Sequence, residues 1–319
     1  MDRRLSSSLV QHGEFPLLLP GLRPIIVQRP LASGCSTLIY TARCGEQDVL
    51  LRELCPEGLT EQGRLVRQAD GRLRIRRNAA ALLAWGRERR RCRRAARLNL
   101  RLQRHPAAGR WVVPIHGLYR HHGTLCIPTQ LPAGTPLTTL LEAPVPVILA
   151  AAVRILQMTE ALHRAGWLLV DIKASNYVLY PRPDGRQDIR LTDLDSAVPL
   201  RGLTRQKRFL CSSETAPPEL LQGRGSDAGP HSDVYSVAVI LASALARRPC
   251  KGDLPQLFRD RIAPALADWR PESVRMLEEL LTGALESDPG ARLPDCRAVL
   301  DPLIRICQKE AVDIESIFA

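Results

Sequence analysis

Short aliphatic and β-branched runs follow Pro24. Ile25-Ile26-Val27, Leu38-Ile39-Tyr40 and Val49-Leu50-Leu51 are each bounded by Gly or polar residues, as hairpin strands are. A helical period then runs over residues 79–102, with Leu82, Leu83, Leu98 and Leu102 set among arginines. Residues 111–115 and 124–127 read as two further strands. Beyond Pro144 the pattern turns helical, over 147–165, 234–246, 273–285 and 296–307. A small β-rich part followed by a larger helical part predicts a two-lobe α+β plan. Residues 1–23 are mixed and proline-punctuated and read as a loosely packed extension. No internal repeat is visible.

Composition agrees with that plan. The chain has 319 residues, 45% hydrophobic and 24% charged, which excludes disorder and collagen-like structure. At ~100–200 residues per domain, two domains or lobes are expected. The most apolar stretch, residues 145–153, meets Arg154 far short of the ~20 residues a membrane span requires. Leu17-Leu18-Leu19 lies between Pro16 and Pro20, so no basic-then-apolar leader opens the chain. The expectation is a soluble cytoplasmic protein with no membrane partner. The nine cysteines contain no C-x-x-C pair and are odd in number, which reads as reduced thiols.

The net charge is +12, from 45 Lys and Arg against 33 Asp and Glu. Only Lys173, Lys207, Lys251 and Lys309 are lysines. An arginine bias of this kind follows genome composition as readily as it follows physics. It makes a lysine at any given motif position more informative. The stretch 72–104 concentrates arginines and leaves two readings open: a docking face for an acidic partner, or a solvated helix face. No aromatics interleave to stack on bases, which argues against nucleic acid and favours the solvated face.

One segment carries an inventory suited to phosphoryl transfer. It is Leu169-Val170-Asp171-Ile172-Lys173-Ala174-Ser175-Asn176, followed later by Asp193-Leu194-Asp195. The apolar runs at Val178-Leu179 and at Ile189 and Leu191 flank a turn, so a hairpin brings Asn176 near Asp193. A carboxylate can orient a hydroxyl, an Asn and an Asp can hold Mg²⁺, and a lysine can face a phosphate.

Here the chain resembles the protein kinase superfamily, most closely the bacterial Ser/Thr kinases. The catalytic-loop pattern H-R-D-x-K-x-x-N appears as L-V-D-I-K-A-S-N, keeping Asp171, Lys173 and Asn176. The D-F-G pattern appears as Asp193-Leu194-Asp195, keeping the Asp and losing the Gly. Pro217-Pro218-Glu219 is similar to A-P-E. Asp233-Val234-Tyr235-Ser236 looks like the helix start whose Asp braces the catalytic loop. Ser287-Asp288-Pro289-Gly290-Ala291-Arg292 resembles the segment whose Arg pairs with the A-P-E Glu. The N-terminal landmarks depart further. Of the glycine-rich loop G-x-G-x-x-G-x-V only Gly34 remains, with Ile39 at the Val position. The strand Val49-Leu50-Leu51-Arg52 places Arg52 where the family has its ATP-anchoring Lys. Glu88 is the sole candidate for that lysine's helix partner, being the only acid between Asp70 and Glu142.

The resemblance implies a two-lobed protein-kinase fold, with the N-lobe over 24–132, the C-lobe over 133–308 and a tail over 309–319. It implies a hinge at Pro132-Ala133-Gly134-Thr135, with adenine against residues 129–131. It further implies transfer of the ATP γ-phosphate to a protein Ser or Thr with Mg²⁺. Asp171 and Lys173 are then catalytic, Asn176 and Asp193 metal-binding, and Gly34, Ile39, Arg52 and Glu88 nucleotide-binding. Two alternatives stand beside this: a pseudokinase acting as a nucleotide-binding or scaffold protein, and a small-molecule phosphotransferase. Thr204, Ser212 and Ser213 lie where activation segments are phosphorylated, though Val170 replaces the Arg that grips such a phosphate. His105 and His163 have no metal-ligand spacing around them and read as structural.

Overall fold

The computed structural model describes residues 16–17, 21–34, 36–68, 70–76, 78–130, 137–181, 186–206, 208–250 and 254–318. They fall into two compact units. One comprises the described residues of Met1–Arg104 and Val113–Leu131, the other those of His105–Val112 and Pro132–Ala319. The expected hinge at 132–135, and Leu131 beside it, lie outside the described residues.

The first unit is built on an antiparallel sheet. Its strands are β1 (Pro16–Leu17), β2 (Ile25–Ser33), β3 (Thr37–Cys44), β4 (Gln47–Leu54), β7 (Tyr119–His121) and β8 (Thr124–Gln130), in the order β1-β2-β3-β4-β8-β7. Alternation along β4 buries Val49, Leu51 and Glu53, and leaves Leu50 and Arg52 partly exposed. The long helix α1 (Ala79–Gln103) turns Trp85, Cys92 and Ala96 into the same core as Tyr40 and Leu51. Asn78 caps its start, accepting from the Ala81 N–H at 3.2 Å.

Between β4 and α1 the chain inserts a small hairpin, β5 (Leu65–Arg67) with β6 (Leu73–Ile75). Arg67 reaches from it to the fully buried Glu53 carboxylate at 2.6 Å, where the Tyr40 hydroxyl also donates at 2.7 Å. Three residues with no apolar periodicity thus fasten the hairpin to the sheet. Nothing in the hydropathy pattern pointed to it.

The strand expected over 111–115 does not form. Gly109–Trp111 is a 3-10 turn, and Val112 and Ile115 make isolated bridges to Leu191 and Thr129. Pro114 lacks the N–H that a continuous ladder through this stretch would use.

The second unit is helical. Its core helix α2 (Val145–Arg164) packs against α3 (Pro230–Leu245) and α5 (Cys296–Lys309), and α4 (Pro271–Ala284) packs on α5 and α3. α2 is apolar nearly all round because it is enclosed nearly all round. Arg154 does not end the apolar run, contrary to the sequence expectation. By length and composition α2 could cross a bilayer, yet 67% of its most apolar window is buried inside the unit. Arg154 is accommodated by Glu315, 2.8 Å away, and by the Phe318 ring. Two short ladders complete the unit, β10 (Tyr177–Pro181) with β11 (Gln187–Leu191), and β9 (Trp167–Leu168) with β12 (Val198–Pro199).

Candidate active site

The site is assembled on the loop between β9 and β10. Its first device is a sharp turn centred on Val170. The Asp171 N–H donates to the Leu169 carbonyl at 2.9 Å, and Val170 sits at φ 72°. That left-handed conformation is strained for a β-branched residue. The buried Asp233 carboxylate, in the first turn of α3, holds it in place. It accepts the Leu169 and Val170 N–H groups at 2.8 Å each, and its Oδ2 lies 2.8 Å from His163 Nε2. His163 is therefore a structural residue of the loop's brace. His105 serves a turn, its Nδ1 accepting from the Ala107 and Ala108 N–H groups.

The turn presents Asp171 to Lys173 and Ser212. Its Oδ2 accepts from Lys173 Nζ at 2.8 Å, and its Oδ1 accepts the Ser212 N–H at 2.8 Å. Lys173 Nζ also donates to the Ser212 hydroxyl at 3.0 Å. The carboxylate is mostly buried, and each oxygen keeps lone-pair capacity for a substrate hydroxyl.

Asn176 is tied down through its other polar atoms. Its Nδ2 donates to the Asp171 carbonyl at 2.8 Å, and its own carbonyl accepts the Thr192 N–H and hydroxyl at 2.9 and 3.0 Å. The β10–β11 ladder pairs Tyr177 with Leu191, which brings Asn176 and Asp193 to the same end of the hairpin. A pocket lined by Leu169, Asp171, Asn176, Tyr177, Leu191 and Asp193 joins these residues. The hairpin and the convergence expected from the sequence are both present. Burial pushes the Tyr177 phenol pKa well up, with Asp233 and Asp171 adding to it, so Tyr177 stays neutral in this wall.

These residues fit a divalent cation of the Mg²⁺ type. Because the Asn176 amide N–H is spent on a backbone carbonyl, its Oδ1 is the atom left to ligate, and Asp193 adds a carboxylate. No cluster of three His, Cys, Asp or Glu able to hold a metal occurs among the described residues. Mg²⁺ is commonly bound by one or two carboxylates together with substrate phosphates, and Asp193 with Asn176 Oδ1 is a donor set of that size.

In the same unit, Glu219 and Arg292 form a fully buried ion pair with contacts of 2.7 and 3.1 Å, and the Ser232 hydroxyl donates to Glu219 at 2.7 Å. Burial alone would raise the Glu219 pKa. The hydrogen bonds from Arg292 and Ser232 outweigh it and hold the carboxyl below its usual range. This pair fixes the segment that delivers Ser212 to Asp171. The sequence suggested Ser212 only as a modification site, and the structure makes it a partner of both Asp171 and Lys173. Its place seven residues before Glu219, whose position the ion pair locks, was the available signal.

In the first unit, Gly34 donates its N–H to the Thr37 carbonyl at 2.8 Å in the β2–β3 hairpin, and Ile39 pairs with Ala32 and Arg52. Cys35 lies outside the described residues. Arg52 sits on β4, partly exposed, opposite Ile39 and Ile127. Glu88 forms an ion pair with Arg91, which also bonds Ser36.

The fold agrees with what known proteins show. The protein kinase domain family matches residues 88–303, more than half of the chain, and the chain belongs to that family. The serine/threonine-protein kinase PknA of Mycobacterium tuberculosis is 29% identical over 174 residues, covering 51% of this chain and 38% of that protein. The chain thus spans about two-fifths of the length of that relative. Among solved structures, the PknI kinase domain of Mycobacterium tuberculosis superposes with a TM-score of 0.57 at 21% identity, over 91% of this chain and 98% of that one. PpkA-294 in its apo form gives 0.63 at 19% identity, over 91% of this chain and all of that one. The fold is a protein-kinase fold, β-rich in its first unit and helical in its second.

Proposed function

We propose that the chain is an active protein kinase that transfers the γ-phosphoryl group of ATP to a Ser or Thr hydroxyl of a protein. The observation that carries this reading is the triangle of Asp171, Lys173 and Ser212 beside Asn176 and Asp193. Asp171 accepts the substrate hydroxyl proton as the new P–O bond forms and the bond to the ADP leaving group breaks. Lys173 balances negative charge beside Asp171. Asn176 Oδ1 and Asp193 would hold Mg²⁺, which when bound neutralises phosphate charge.

In this reading the N-lobe spans 24–132 and the C-lobe 133–308. Gly34, Ile39, Arg52 and Glu88 are assigned to the nucleotide. The protein substrate is unspecified by the chemistry present. A cytosolic setting accords with the eight described cysteines, all free thiols.

A pseudokinase scaffold is the second reading, and two observations favour it. Arg52 stands in the lysine position, and the family match begins at residue 88, after the strand that carries it. Thermal denaturation with and without ATP and Mg²⁺ separates the two. Ligand at ~100 times its Kd stabilises a protein by about 2.7 kcal/mol, a readily measured rise in Tm. The kinase reading requires that rise, whereas an unchanged Tm at millimolar nucleotide supports the scaffold.

A further inference from the structure

Helix α1 carries a row of exposed side chains that the phosphoryl-transfer chemistry leaves unused. Leu83, Arg87, Arg90, Arg94, Arg97 and Arg101 are all exposed, and Arg104 continues the row at the helix C-cap. Their spacings alternate four, three, four, three, four, three, which is a heptad seam. From Arg87 to Arg104 it runs about 25 Å at the α-helical rise. The opposite face of the helix is spent on the core through Trp85, Cys92, Ala96 and Leu102.

Like charges at these spacings repel, and the sequence places no acid on the row itself. Glu88 is the only acid between Asp70 and Glu142, and it is paired with Arg91 off the row. A bias toward arginine explains why the bases are not lysines. It does not explain a helix surface without interleaved acids, which solvated helix faces ordinarily have.

We propose that this row is a docking surface for an acidic amphipathic helix of a partner protein. That helix bears Asp or Glu at the same heptad spacing, and apolar residues at the end that meets Leu82 and Leu83. A period of 3.5 residues is the one at which two helices keep facing side chains together over several turns. Each guanidinium fork matches a carboxylate bidentately. A bilayer fits less well, because the exposed leucines Leu82 and Leu83 sit at one end and do not run beside the arginines. A nucleic acid strand fits less well because no aromatic side chain interleaves for base stacking.

The test uses the full chain and a labelled synthetic peptide about 21 residues long, three heptads, with Glu at both seam positions and Leu at one end. Fluorescence anisotropy compares it with a peptide of identical composition and scrambled order, a short DNA duplex, and phosphatidylserine-containing vesicles. The patterned peptide should bind at least about tenfold tighter than the scrambled one, and more weakly as salt rises. Arg90→Gln, Arg97→Gln and Arg101→Gln combined should abolish that preference while the circular dichroism melt stays unchanged. Arg97→Glu should weaken binding, and a peptide carrying Arg at the facing position should restore it. Equal affinity for the scrambled peptide, tighter binding of duplex or vesicles, or no binding at low salt would overturn the proposal. The scrambled-peptide comparison on the unmutated chain decides the matter even where a variant fails to fold.

Discussion

Ser212 gives its backbone N–H to the Asp171 carboxylate at 2.8 Å, across 41 residues of sequence. Its hydroxyl oxygen accepts a hydrogen bond from Lys173 Nζ at 3.0 Å at the same time. The residue therefore acts as a spacer that sets both Asp171 and Lys173. Ser212→Ala keeps the N–H and loses only the hydroxyl, so kcat should fall about tenfold, the worth of one hydrogen bond to a charged group, with little change in Tm. Ser212→Glu places a second carboxylate beside Asp171 and should lower activity further. A rise in activity for Ser212→Glu would make this residue an activating phosphorylation site instead.

Glu219, seven residues after Ser212, forms a buried ion pair with Arg292. Removing one partner strands a buried charge, so Arg292→Ala should cost about 3–5 kcal/mol in urea denaturation. The pH dependence has a definite sign. The folded-state pKa of Glu219 is depressed, so its contribution is present above the unfolded value near 4.5 and is lost as pH falls through the folded value. Glu219→Gln should flatten the stability profile in that acidic window and leave its shape at neutral pH alone.

The inserted hairpin gives a separate test of the first unit. Arg67→Ala leaves the Glu53 carboxylate buried without its cation and should destabilise by about 3–5 kcal/mol. Tyr40→Phe removes one hydrogen bond to the same carboxylate and should cost about 1–3 kcal/mol. A double variant, Arg67→Met with Glu53→Met, should recover most of the loss, because it removes both charges together. Chemical denaturation of the four proteins checks the order.

Arg52 tests the nucleotide assignment. Arg52→Lys should raise turnover, because a compact ammonium places phosphates where a longer planar fork displaces them. Arg52→Ala should weaken ATP binding by about 1.5–3 kcal/mol. Steady-state kinetics on the three proteins measure both. Identical binding and turnover in all three would make Arg52 an ordinary strand residue.

The second unit was the more legible from sequence, for a physical reason. Asp171, Lys173, Asn176 and Asp193 lie on one loop and one hairpin, so short-range spacing encodes their convergence. The long helices announced themselves by burial periodicity, although α2 continued through Arg154 because Glu315 and Phe318 accept its side chain. Contacts made by single polar groups across long stretches left no periodic trace. Arg67 reaching Glu53, and Ser212 reaching Asp171, are of that kind. Residues 111–115 misled because their apolar content is strand-like while Pro114 denies the ladder its donor.

The central claim is that Asp171 is the residue that orients the substrate hydroxyl. Transfer of radiolabelled γ-phosphate from ATP to a generic protein substrate, by the unmutated chain and by Asp171→Asn, tests it directly. Asn is nearly isosteric with Asp and can still accept from Lys173, so the fold should persist and Tm should change little. The unmutated chain should label Ser or Thr, and Asp171→Asn should lose at least about 10²-fold of that rate. Equal labelling by both proteins would place the chemistry elsewhere and contradict the account.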